Sequence, residues 1–156
     1  VSPLGLLDIS GASAGQIKFP ATQNASADAN TLDDYEEGSW TPTLGGSATY
    51  TAQTGSYTKI GNLVTLVCHL TVNSLGTGST FEVTGLPFTS NGDISSGSVG
   101  YFATLATNVI HIACYVNGGS NGVRFSNINT AGASVTGSTA IFGNGADVFF
   151  TVAYRV

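Results

Sequence analysis

The chain has 156 residues and a formal net charge of −5, with only 8% charged residues against about 25% in ordinary soluble domains. Its four basic groups, Lys18, Lys59, Arg124 and Arg155, are too few for phosphate-backbone binding, so nucleic acid is excluded as a partner, and no stretch reaches the run of about eighteen apolar residues that would insert into a membrane as a helix. The 42% of hydrophobic residues exclude a disordered chain, and they suit one β-rich domain that buries roughly 70% of its unfolded surface and carries hydroxyls and amides where others carry charges.

The chain opens with Val and contains no Met, which leads to the expectation of a piece of a longer polypeptide. No basic segment followed by an apolar one suggests a signal peptide. Residues 1–46 read as an extended arm: short apolar clusters (Leu4, Leu6 and Leu7; Ile17 and Phe19) are separated by small residues. Near its end, "TLDDYEEGSWTP" gathers Asp33, Asp34, Glu36 and Glu37 around Tyr35, just before Trp40, the only tryptophan. Asn30 or Thr31 can cap one helical turn near 31–37, the acids suit its N-terminal end, and Gly38 supplies the exit. The stretch then reads as a hinge anchored by Trp40.

Residues 47–156 carry strand periodicity. Strands are expected over 47–52, 56–60, 64–72, 80–85, 98–105, 109–116, 122–128, 134–142 and 148–156, separated by the turn signals "QTG", "IGN", "SLGTGS", "SNGD", "NGGSNG" and "FGNGAD". Alternation assigns Val64, Leu66, Cys68, Leu70 and Val72 to a core face, together with Ile110, Ile112, Cys114 and Val116, and with Val148, Phe150, Val152, Tyr154 and Val156. No long stretch has helical periodicity. Short strands at this spacing predict an all-β fold, an antiparallel β-sandwich that is jelly-roll-like. Cys68 and Cys114 fall in phase with the core and read as small buried hydrophobes, with a disulfide left open.

The opposite faces are unusual. Val67, Val109, Ala113, Tyr115 and Phe149 point away from the core yet are apolar, where a solitary sandwich would show polar groups. A homo-oligomer is expected, one copy covering another.

"FPATQNASADANTLDDYEEGSWTPTL", then "YTAQTGSYTKIGNLVTLVCHLTV" and "VTGLPF", resemble the C-terminal region of bacteriophage tail fibres and tailspikes. In that family FPATQ…ANTLDDYEEG-[ST]-WTP precedes a β-rich terminal domain, and "GSYTKIGNLV" (55–64) matches its Gly-x-Tyr-Thr-Lys-x-Gly strand pair. The resemblance covers residues 16–88. It implies a parallel homotrimer in the virion, outside the cell, whose linkers wrap neighbouring chains and whose target is host-surface polysaccharide, capsule or lipopolysaccharide. It also implies that Asp33, Asp34, Tyr35, Glu36, Glu37 and Trp40 are trimer and hinge residues, the acids facing the three-fold axis or a neighbouring chain's Lys18 or Lys59.

Catalysis finds little support. Asp8, Glu82, Asp93 and Asp147 sit singly, with no aromatic sugar cleft around them, so no paired carboxylates for glycoside hydrolysis are visible. By the resemblance, any depolymerase would lie upstream. His69 and His111 both point away from the core, but two ligands without a third do not make a metal site, and "DDYEE" lacks the spacing of a calcium loop. No cofactor or metal is expected. Binding is the better expectation, because neutral glycans are held by aromatic faces, amides and hydroxyls. "GYFATL", "CYVNGGSNG" and "TSNGD" supply that mixture, making Tyr101, Tyr115, Asn117, Asn121, Asn91 and Asp93 the candidate carbohydrate-binding residues. The rival expectation is a trimerisation and folding clamp that binds no ligand.

Overall fold

The computed structural model describes residues 11, 15–134 and 140–156, and the backbone of 136 and 137. Leu4, Leu6 and Leu7 of the arm lie outside the described residues, and so does Asp8. Among the described residues there are nine strands and no helix: β1 Tyr35–Trp40, β2 Thr49–Ile60, β3 Leu63–Ser74, β4 Glu82–Thr84, β5 Ser95–Ala103, β6 His111–Val116, β7 Gly122–Ile128, β8 Thr136–Gly137 and β9 Asp147–Arg155. All pairings are antiparallel, in the order β1-β2-β3-β9-β5-β6-β7-β4, with β8 beside β7.

The sheet curls so that its two halves enclose one core. β5 belongs to both halves: Ser95 and Ser96 pair with Val116 and Tyr115 of β6, while Gly97–Ala103 pairs with β9. Gly97 sits where the strand passes from one half to the other. A Cβ there would lie 2.6 Å from Cys114 Sγ and 2.7 Å from the Thr151 carbonyl oxygen, so only glycine permits the crossing.

The core follows from alternation. Val64, Leu66, Cys68, Leu70 and Val72 are buried from β3, and Val148, Phe150, Val152 and Tyr154 from β9. They meet Ile112, Cys114, Val116, Val123 and Phe125 from the other half. Phe125 joins Phe142 and Phe150 edge-to-face, at centroid distances of 5.0 and 5.2 Å. Each such side chain contributes roughly 1.5–3 kcal/mol on burial. Cys68 and Cys114 are buried free thiols. Burial pushes the Cys114 thiol up to about 12 and raises that of Cys68 as well, so both act as small apolar groups.

Several expectations are corrected. The helical turn expected near 31–37 is not formed; Tyr35–Trp40 is a strand, inside the sheet and ahead of the boundary drawn at residue 46. Its acids find partners on β2 instead of at a helix terminus. "QTG" is not a turn, because β2 runs unbroken from Thr49 to Ile60. Of the strand expected over 134–142, the described residues show only β8, Thr136–Gly137, and Ile141 and Phe142 are buried outside a strand. Ile110 lies just ahead of β6 and is 57% exposed, not in the core.

Candidate functional site

The acidic stretch is the first candidate. β1 is an edge strand paired with β2, Glu36 opposite Lys59 and Trp40 opposite Gly55. Alternation turns Glu36, Gly38 and Trp40 inward and leaves Tyr35, Glu37 and Ser39 exposed. Just before the strand, Asp34 forms an ion pair with Lys59; the two residues are 5% and 3% exposed. Lys59 Nζ also donates to Gln23 Oε1 at 3.2 Å and lies 5.6 Å from the centroid of the Phe88 ring. Gln23 thereby ties the arm to the sheet.

The other acids are engaged too. The Tyr57 hydroxyl donates to Glu36, a bond that together with burial pushes its phenol up to about 12. The Tyr35 hydroxyl donates to Glu37, which raises the Tyr35 phenol. Asp33 Oδ2 accepts from the Ser26 amide at 2.8 Å, and that bond holds its carboxyl below the usual range. A carboxylate facing an axis or a neighbouring chain's lysine was expected; Asp34 instead meets its own chain's Lys59, because β2 alternation turns Lys59 inward. Among the described residues, no group of three or more His, Cys, Asp or Glu is arranged to hold a metal ion.

The second candidate is a pair of loops at one end of the molecule. The Asn91 amide donates to the Arg155 carbonyl at 2.8 Å, and its carbonyl accepts from Gly119 N at 2.6 Å. Ser90 Oγ donates to the Asn117 carbonyl at 2.7 Å, and Leu86 N to the Asn121 carbonyl at 3.1 Å. The Asn91 side chain both donates to Asp93 Oδ2 and accepts from Asp93 N, each at 3.0 Å. Asn91, Asp93, Asn117 and Asn121 are therefore brought together, with Tyr115 two residues ahead of Asn117 on β6. Much of their polar capacity goes into holding the loops to each other.

Tyr101 is not among them. It stands on β5 opposite Phe149 of β9, on the outer face of the other half. That face is the third candidate, which sequence reading glimpsed only in pieces. The registers of β2–β3, β3–β9 and β9–β5 place Thr54, His69, Phe149 and Tyr101 in one row across four strands. The His69 and Phe149 rings are 4.2 Å apart edge-on, and the Phe149 and Tyr101 rings 4.9 Å apart at 34°. The next row runs Ser56, Val67, Thr151, Ser98. On the other side Thr71 Oγ1 donates to Asp147 Oδ1 at 2.9 Å, and His69 Nε2 lies 3.2 Å from the same oxygen. His69 and His111 are not neighbours, since β3 and β6 do not pair.

Of the apolar outward residues expected to need a cover, Val109, Ala113 and Tyr115 are already half-buried within the chain. Val67 and Phe149 remain exposed. A separate apolar row, Tyr35–Ile60–Leu63, crosses β1, β2 and β3 at the arm end of the same face, also exposed.

No protein-family model matches the chain, and comparison with curated proteins gives no match. Among solved structures it is similar to a phage tailspike, the Dettilon tailspike protein gp208, with a TM-score of 0.64 and 18% sequence identity over 78% of this chain. The matched region is 24% of that protein's chain. At this identity the likeness is one of fold: the all-β domain described above is built like part of a phage tailspike.

Proposed function

We propose that the chain is a terminal domain of a phage tail fibre or tailspike, which acts outside the cell as a homotrimer and recognises host-surface polysaccharide, capsule or lipopolysaccharide. The observation that carries this reading is the fold likeness to a tailspike over 78% of the chain. The surface chemistry supports it: outward positions are filled by Ser, Thr, Asn and aromatic rings and by very few charges, the mixture that grips a sugar by stacking and neutral hydrogen bonds. Two surfaces offer that mixture, the loop cluster of Asn91, Asp93, Asn117 and Asn121 with Tyr115, and the sheet face that carries Tyr101. Any depolymerase activity belongs, on this reading, to a domain other than this one.

A second reading, a clamp that locks trimer and arm without touching a ligand, is favoured by the buried Asp34–Lys59 pair and its bond to Gln23. The two readings separate on a printed panel of bacterial polysaccharides. Recognition predicts retention of at least one of them by the isolated chain, whereas a trimer that retains none supports the clamp.

A further inference from the structure

We infer that the glycan-binding surface is the outer face of β2, β3, β9 and β5, centred on Phe149 and Tyr101, and that its ligand is an extended, uncharged glycan; this rests on the recognition reading above. The register puts three rings on adjacent strands, His69, Phe149 and Tyr101, at 4.2 and 4.9 Å centroid spacing, so they form one continuous aromatic strip across the strands. Phe149 and Tyr101 are 41% and 46% exposed, which leaves ring surface open for stacking. Sugar rings present a C–H face to such a strip, and their hydroxyls need hydrogen-bond partners at its margins.

Both margins are polar. On one side lie the exposed residues Ser56 and Ser98, on either side of Val67 and Thr151, whose own hydroxyl donates to the Leu66 carbonyl at 2.8 Å. Two shallow depressions meet at Val67, one running to Ser98 and Phe149, the other to Thr54 and His69. On the other side Asp147, held by Thr71 and His69, presents a carboxylate that accepts from sugar hydroxyls.

The charge pattern selects the ligand class. None of these rows contains Lys or Arg. Lys59 is buried, Arg124 pairs with Glu82 at 3.2 Å on β7 and β4, and Arg155 stands opposite Leu63 at the arm end of the face. A uronate or phosphate would meet Asp147 with no Lys or Arg in these rows to offset it. A contact between copies falls instead on the separate apolar row Tyr35–Ile60–Leu63.

The test uses the panel of neutral and uronate-bearing bacterial polysaccharides, then titration calorimetry of the strongest binder against the chain and its Phe149→Ala and Tyr101→Ala variants, with sedimentation of each. The expected result is a neutral strongest binder, affinity lowered about tenfold or more in each variant, and an unchanged assembly mass. Affinity as in the parent chain for both variants overturns the face while leaving recognition standing. A uronate-rich strongest binder overturns the ligand class, and a changed mass in Phe149→Ala shows the face to be a contact between copies. A parent chain that retains nothing on the panel overturns the recognition reading itself.

Discussion

Lys59 carries a charge to a position with 3% exposure, and only its partners make that tolerable. Removing one partner leaves the other charged and buried, so Lys59→Ala is expected to cost about 3–5 kcal/mol in denaturant unfolding. The double variant Lys59→Met with Asp34→Leu should recover most of that loss, because no buried charge remains. Equal losses in both would show the site to be solvated. Tyr57 gives a pH signature. Its phenol rises from 10.0 to about 12 through the Glu36 hydrogen bond and burial, so the stability it adds is whole below about pH 10 and is lost as the pH climbs through about 12. Phenolate absorbance should therefore show Tyr57 ionising late, and Glu36→Gln should bring it earlier; no change between the two would contradict the bond. At this scale the sequence was half legible. Concentrated acids before Trp40 pointed to a structural role, but which lysine they meet depends on a strand pairing that the local string does not reveal.

Elements were read best where one face alternates cleanly. β3, β6 and β9 repeat apolar residues every second position, and the core forms on that face. The acidic stretch failed as a helix because caps and acids are equally at home beside a strand whose partner supplies Tyr57 and Lys59. "QTG" failed as a turn because Gly55 serves a different purpose. The Trp40 indole lies over it, and a Cβ there would stand 2.4 Å from Trp40 Nε1. Gly38 does the same for Tyr57, whose hydroxyl would be 2.6 Å away. The two aromatic side chains thus cross the β1–β2 pair in opposite directions, each over the other strand's glycine. Valine is the better strand former, so propensity alone would make Gly55→Val stabilising by a fraction of a kcal/mol. Overpacking wins: the expected change is a loss of about 1–3 kcal/mol, with Trp40 fluorescence shifted to the red as the indole leaves its pocket. An unshifted spectrum would mean that the close approach is absent.

At the scale of the molecule, the crossovers were the illegible part. β9 inserts between β3 and β5, elements far apart in sequence, and this builds both the core and the outward ring row. The sequence placed His69 and Phe149 away from the core and named Tyr101 as a candidate, yet nothing local says that the three meet. The expectation that neighbouring copies would cover the apolar outer positions is narrowed by the same topology. Val109, Ala113 and Tyr115 are sheltered within the chain, while Tyr35, Ile60 and Leu63 align in an exposed row that ends at Arg155. Leu32, exposed in the arm just ahead of β1, adds to the apolar surface at this end. A chain with so few charges has little else to keep that patch solvated. The parent chain is therefore expected to sediment at three times its monomer mass, and Ile60→Asp with Leu63→Asp to sediment at the monomer mass, because both carboxylates would have to be buried unpaired at the contact. Both substitutions fall at exposed positions, so folding should survive, and an unchanged Trp40 spectrum would check it. A parent chain that runs as a monomer removes the trimer, and with it the view that the arm-end row is where copies meet.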